Sequence, residues 1–247
     1  MILLCNLWAA VLFAGAANAL DPDGIIVKME SAMRGESSYT EMVMRIERPR
    51  YSRELSMRCW LKGLDYSLVI ITSPARDEGM AYLMRNDEIW NYDPRIDRIT
   101  RLPPSMMFQS WMNSDFTNDD IVRDTDLLRD YDKRLLGREP CEEKKCFVIE
   151  MVPKPNTPIV WGKVKMWISE DDFLQRRVEN YDQRGALVST MTMDRIMRFD
   201  GRYIPSRITL IPAGKEGERT ILTYTKATFD IGVGSDFFSF VNMQRLR

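Results

Sequence analysis

The chain contains no histidine. That absence excludes Ser-His and Cys-His nucleophile pairs and every metal site built on imidazole. Glycine-rich phosphate loops are missing too. No G-x-G-x-x-G follows a strand and opens a helix, and no Walker loop occurs. Cysteine is scarce, with four in 247 residues, too few for a zinc site without other ligands. Neither sign of charge is in surplus: Lys and Arg number 35 against 36 Asp and Glu, a net charge of −1. Binding to nucleic acid needs a basic surplus, so no such partner is expected. No cofactor is expected either. What reactive chemistry remains is carboxylate. The adjacent pairs Asp119-Asp120, Glu142-Glu143 and Asp171-Asp172 stand in turn-like or cap-like contexts. Each reads as a solvated turn rather than a catalytic dyad. The chain is therefore expected not to be an enzyme, and a hydrolase using carboxylates alone is the chemistry left open.

Long apolar runs are absent after the first residues. Residues 1–19 carry no charged side chain, hold the apolar stretch Leu7–Phe13, and end in Ala17-Asn18-Ala19. This is the layout of a cleaved secretory signal peptide, although no Lys or Arg precedes the apolar run. A membrane anchor would need about 20 apolar residues. Cys5 precedes the apolar core and does not read as a lipid-attachment cysteine. Residues 20–247 are expected to form a single domain, exported and not membrane-spanning once processed. In an oxidising compartment Cys141 and Cys146, which enclose Glu-Glu-Lys-Lys, read as a disulfide across a polar turn, with two unpaired thiols as the alternative. Cys59 lies in an alternating stretch and reads as a small buried apolar side chain.

What is present is alternation. Asp21-Pro22 opens a predicted helix over Pro22–Arg34, with Ile25, Ile26, Met29 and Met33 at helical spacing and a stop near Gly35. Period two then takes over. Thr40, Met42, Met44 and Ile46 share one face, as do Leu55, Met57, Cys59 and Leu61. Further strands are predicted over residues 66–72, 80–84, 88–92 and 96–102, and a turn at Asn86-Asp87 joins two of them. A second group falls at residues 132–138, 147–152, 163–169, 174–181, 187–199, 203–211 and 220–229. Short turns pair neighbours antiparallel. The fold class is mainly β (α+β): a single large curved antiparallel sheet, or incomplete β-barrel, covered by a few helices.

One segment breaks the alternation. Residues 103–116 are rich in Met and aromatics, and a short helical turn follows at residues 117–122. Loops are normally polar and run over the surface, so this one must pack on something. It is either an ordinary core cover or a lid over an apolar cavity. Seventeen methionines, including the same-face pairs Met42/Met44 and Met191/Met193, supply a soft, adaptable inner face.

Several stretches carry a resemblance. They are Ile89-Trp90-Asn91-Tyr92-Asp93-Pro94, Arg98-Ile99-Thr100-Arg101-Leu102 and Asn113-Ser114-Asp115-Phe116-Thr117-Asn118-Asp119-Asp120-Ile121. Met166-Trp167-Ile168-Ser169, Asn180-Tyr181-Asp182 and Asp200-Gly201-Arg202-Tyr203-Ile204-Pro205-Ser206 join them. Together they resemble the LolA-like outer-membrane lipoprotein-sorting proteins. Asn113 stands where that family is expected to have glycine; Asn tolerates a positive φ better than most residues. The resemblance implies an incomplete barrel with helices over its open mouth, a periplasmic location, no enzymatic activity, and an apolar cavity for acyl chains of a lipid or lipidated protein. The residues expected to line that cavity are Met42, Met44, Leu55, Met57, Leu61, Leu68, Ile70, Trp90 and Tyr92 on the sheet. Met106, Met107, Phe108, Trp111 and Met112 are expected to form its lid. Some members of the family accompany export pumps of the resistance-nodulation-division type. The alternative expectation is thus an accessory module docked on an inner-membrane transporter, with Phe108 and Trp111 in an exposed docking patch.

Overall fold

The computed structural model describes residues 21–86, 88–122, 126–157 and 159–246. The predicted signal peptide lies outside the described residues.

Helix α1 (Pro22–Met33) buries Ile25, Ile26 and Met29, the stripe that the helical spacing predicts. Asp21 stands at its N-cap, but the side chain makes no capping bond. Its C-terminal end is held from outside. Arg202 donates to the carbonyls of Ser31 (3.0 Å) and Arg34 (2.6 Å) and to the Asp230 carboxylate (3.0 Å). Asp230 also accepts from the Glu36 N–H at 2.7 Å. This approach needs glycine at position 35, because a Cβ there would lie 2.5 Å from Asp230 Oδ1.

The six strands β1 (Ser37–Arg48), β2 (Tyr51–Lys62), β3 (Tyr66–Ser73), β4 (Ala81–Arg85), β5 (Glu88–Asp93) and β6 (Arg98–Leu102) follow one another as hairpins. The chain then crosses through residues 103–130, which include α2 (Asn118–Val122) and α3 (Leu127–Asp130). It returns as β7 (Tyr131–Cys141), β8 (Lys144–Pro153), β9 (Lys163–Ser169), β10 (Gln175–Tyr181), β11 (Leu187–Phe199), β12 (Arg202–Pro212) and β13 (Arg219–Phe229). Strand β13 pairs with β1 from Ser38↔Phe229 to Glu47↔Arg219. The result is one 13-stranded antiparallel sheet in the order β6-β5-β4-β3-β2-β1-β13-β12-β11-β10-β9-β8-β7. Strands β6 and β7 are its edges, so the sheet is open and not a closed barrel. Every predicted strand is present within a few residues of its expected bounds. A disulfide joins Cys141 to Cys146 across the β7–β8 hairpin, with the Cα atoms 6.0 Å apart.

Each sheet face carries its own cover. On one face, Met44, Leu55, Met57, Val69, Tyr82 and Ile89 pack under Met107, Trp111, Phe116 and Val122 of the crossing segment. Further along the same face, Phe147, Ile149, Met151, Met166 and Val178 pack under Ile25, Ile26 and Met29 of α1. The opposite face of β3–β5 is apolar as well. There Leu68, Ile70, Leu83 and Tyr92 are buried beneath a C-terminal segment that runs to α4 (Phe240–Arg245) and inserts Phe238 and Met243. No strand or helix was predicted for that segment.

Candidate functional site

The two covers on the inner face do not meet completely. Met191 and Ile208 touch both apolar clusters from the middle of the sheet. Above them lies a cavity of about 440 Å³. Its floor comes from the central strands, with Met42, Leu61, Met191, Met193, Ile208 and Leu222 among its residues. Its roof comes from Met29 and Met33 of α1, from Phe116, Ile121 and Val122 around α2, from Leu127 of α3, and from residues 159–161. The volume falls in the usual range for small-molecule sites, roughly 300–1,000 Å³. Seven of the seventeen methionines line it: Met29, Met33, Met42, Met151, Met166, Met191 and Met193. An unbranched thioether reshapes to its contents, so this wall can fit apolar partners of varied shape.

The residues expected at this site divide three ways. Met42 and Leu61 line the cavity. Met44, Leu55 and Met57 are on the same face but are fully buried in the packed cluster under the crossing segment. Leu68, Ile70, Trp90 and Tyr92 do not join them. They point to the opposite face and pack with the C-terminal segment: β3 is apolar on both faces, and in β5 Ile89 stands opposite Trp90 and Tyr92, so alternation cannot say which side is inward. The lid expectation also needs correction. Met107 and Trp111 cover packed core, Trp111 being fully buried 5.5 Å from the Tyr82 ring. Met106 is half-buried, and its carbonyl accepts from Asn118 Nδ2 at 2.8 Å. Phe108 is exposed, and Met112 borders a separate shallow recess with Arg53 and Arg76. With Trp111 buried, the segment is not the exposed apolar patch that docking on a transporter was expected to use. The cavity residues missing from the expected set had a signal: on the roof, Met29 and Met33 are four apart on α1, and on the floor, Met191 and Met193 share one face of β11.

The stretch 113–121 is held by its own backbone and side chains. Met112 and Asn113 adopt φ of 53° and 63°, so Asn113 does occupy the left-handed region expected of a glycine position. Thr117 and Asp120 cap one another. The Thr117 N–H donates to Asp120 Oδ2 (2.8 Å), and the Asp120 N–H donates to Thr117 Oγ1 (3.1 Å). Asp119 is half-buried and Asp120 is exposed, so the pair keeps contact with solvent as the turn reading expects, and both also border the cavity. Asp120 has access to the cavity space yet is crowded by protein. Burial raises its pKa, and the Thr117 hydrogen bonds partly offset that rise.

Cys59 lines the cavity floor. Burial pushes its thiol up to about 12, against a smaller opposing effect from a hydrogen bond with Thr40. At pH 8 roughly one such thiol in ten thousand is ionised, and the thiolate is the nucleophile. Cys59 is therefore expected to resist iodoacetamide at pH 8 in the folded protein and to react in denaturant. Mass spectrometry of the Cys59 peptide checks this. Rapid alkylation of the native chain would contradict the burial described here.

Among the described residues, no group of three or more His, Cys, Asp or Glu side chains is placed to hold a metal ion. No helix among them is long and apolar enough to cross a membrane.

A family model described as "Uncharacterized protein" matches residues 63–245. The chain belongs to that family. Its fold is LolA-like, as the sequence resemblance implies. It is similar to a DUF1329 family protein from Desulfovibrio piger, with 26% identity, 89% of this chain and 96% of that chain covered, and a TM-score of 0.82. It is similar to a domain from Vibrio parahaemolyticus assigned to outer membrane lipoprotein sorting, with 22% identity, 90% and 97% covered, and a TM-score of 0.80. A LolA superfamily protein from Nitrosomonas europaea is 24% identical, with 89% and 98% covered and a TM-score of 0.77. No curated protein matches the chain in sequence.

Proposed function

We propose that this chain is a periplasmic carrier that holds an acyl chain of a lipid or lipoprotein in the cavity between α1 and α2 and moves it between envelope sites. The observation that carries the reading is the unfilled, methionine-rich cavity on a face that is otherwise densely packed. Interiors normally close such spaces, because lost contacts are costly. The LolA-like fold and the lipoprotein-sorting relative support the same reading.

The physics of transfer fits. Hiding an acyl chain from water is worth roughly 0.8 kcal/mol per methylene, so about ten methylenes supply roughly 8 kcal/mol before the costs of association. A wall without directional bonds to the chain encloses the ligand and still lets it go. No bond-making step is needed, and the reading assigns no catalytic residue.

Two measurements test it. Native mass spectrometry of protein purified from its own envelope is expected to show co-purified lipid, and a fluorescent acyl probe is expected to bind. Met191→Trp places an indole in the middle of the cavity and should weaken that binding by about tenfold or more through overpacking. Met197→Trp, at a half-exposed position on the same strand, should not. Absence of both lipid and probe binding would sink the proposal.

A further inference from the structure

The β11–β12 hairpin ends in exposed apolar side chains. Ile196, Met197 and Tyr203 are 37%, 49% and 62% exposed. Met197 pairs with Ile204 across the hairpin, and Arg198 pairs with Tyr203. Ile204 is a buried residue of the cavity wall, so Met197, directly opposite it, stands on the cavity face. Ile196 and Tyr203 are the next residues along each strand and point to the other face. The tip is therefore apolar on both sides. It carries cations as well. The hairpin's ion pairs are Arg202–Asp230 and Arg207–Asp194. Arg195 and Arg198 are exposed and form none among the described residues. Asp200, at the turn, accepts from the Phe229 N–H at 2.9 Å. The hairpin also stands at the cavity mouth. Arg202 and the Glu36 N–H share the Asp230 carboxylate, and the exposed residues Glu36 and Gly63 line the cavity at that end.

We propose that this hairpin docks the protein on a phospholipid surface, with the cavity mouth turned toward the bilayer. This rests on the reading that the cavity holds an acyl chain, and adds where that chain is taken up and released. A groove on a protein partner would cover one face of the hairpin, whereas a lipid surface surrounds a tip that is apolar on both. Ile196 and Met197 then enter the acyl boundary, and the Tyr203 phenol stays level with the head groups. The guanidiniums of Arg195 and Arg198 meet lipid phosphates, which they bind with paired N–H groups. A chain passes from bilayer to cavity beside Met197 and Ile204 without crossing open water, where every exposed methylene is costly.

The test is co-sedimentation with vesicles of phosphatidylcholine and phosphatidylglycerol at low ionic strength. The parent protein is expected to pellet with them. Ile196→Ser/Met197→Ser/Tyr203→Ser should lower its partitioning by about tenfold or more. Arg195→Gln/Arg198→Gln should lower it by about fivefold or more and remove any preference over vesicles of phosphatidylcholine alone. All five positions are exposed and outside the cavity lining, so both variants should bind the soluble acyl probe within about twofold of the parent. Leu187→Ser/Val188→Ser/Ile211→Ser removes three exposed apolar side chains from the far end of the same two strands and should pellet as the parent does. Parent protein that stays in the supernatant, or an equal loss in the far-end variant, would overturn docking by this hairpin, and retained probe binding would leave the carrier intact. Transfer of the probe to vesicles only when an envelope protein fraction is added would assign the hairpin to a protein partner and overturn the lipid surface. Failure of the parent to bind the probe would overturn the carrier reading, and with it the purpose given to the docking.

Discussion

Replacing Asp115 by alanine is expected to lower the unfolding free energy by about 3–5 kcal/mol. Asp115 sits in the crossing segment and meets Arg48 at the end of β1. Arg48 Nη1 donates to Asp115 Oδ2 at 2.9 Å, and Nη2 donates to Oδ1 at 3.0 Å. The Thr220 hydroxyl donates to Oδ2 at 2.7 Å, and the Asp115 N–H donates back to Thr220 Oγ1 at 3.0 Å. The two side chains are only 12% and 4% exposed. Truncating Asp115 removes both bonds of the bidentate pair and leaves the largely buried Arg48 charge to Glu218, 3.6 Å away, and to backbone carbonyls, which offset only part of it. A paired replacement, Arg48→Met with Asp115→Leu, removes both charges and should cost much less than Asp115→Ala alone. Urea unfolding of the variants checks both statements. A loss under about 1 kcal/mol for Asp115→Ala would show that the pair does not hold the cover in place.

Phe238→Ala should cost a similar amount, about 3–5 kcal/mol. Phe238 is fully buried against the outer face of the sheet, where it packs with Leu68, Ile70 and Leu83. Its ring lies 5.5 Å from Tyr66 and 5.4 Å from Phe237. The segment around it is tied down by further ring contacts, Trp60 to Phe237 at 5.7 Å and Trp90 to Phe240 at 5.2 Å. Arg58 also donates to the Leu246 carbonyl. Truncating Phe238 opens a void in this layer, which is on the far side of the sheet from the cavity. Acyl-probe binding should therefore remain within about twofold of the parent protein while the urea midpoint falls. Lost probe binding in a variant that is still folded would place the ligand on the outer face and contradict the cavity assignment.

Much of this architecture is legible in the residue order. Alternation at period two marks most strands and short apolar runs bounded by turns mark the rest, and the short turns dictate antiparallel neighbours. The helical spacing of Ile25, Ile26, Met29 and Met33 marks α1 and its buried side. The stretch 113–121 is readable down to the positive φ of Asn113. The least legible part is which side of a doubly apolar strand faces the cavity. Strands β1 and β2 alternate cleanly, and Met42, Met44, Leu55, Met57 and Leu61 all fall on the inner face. Strands β3 and β4 are buried on both faces, so their apolar residues run nearly unbroken and carry no phase. Residues 233–246, which bury the second face, have too short an apolar pattern to announce a covering layer.

The methionine-rich crossing segment, with which the loop-over-a-cavity expectation began, shows the same division. Its composition alone determined that residues 103–122 must be covered by something apolar, because so many Met and aromatic side chains cannot stay in water. Only the tertiary structure decided what lies beneath them. Met107 and Trp111 close over packed core, and the open space lies further along the sheet, lined by residues of both α1 and α2. Residue types fix how much apolar surface must be buried, but a void is a property of how separate elements meet, and no local pattern encodes it.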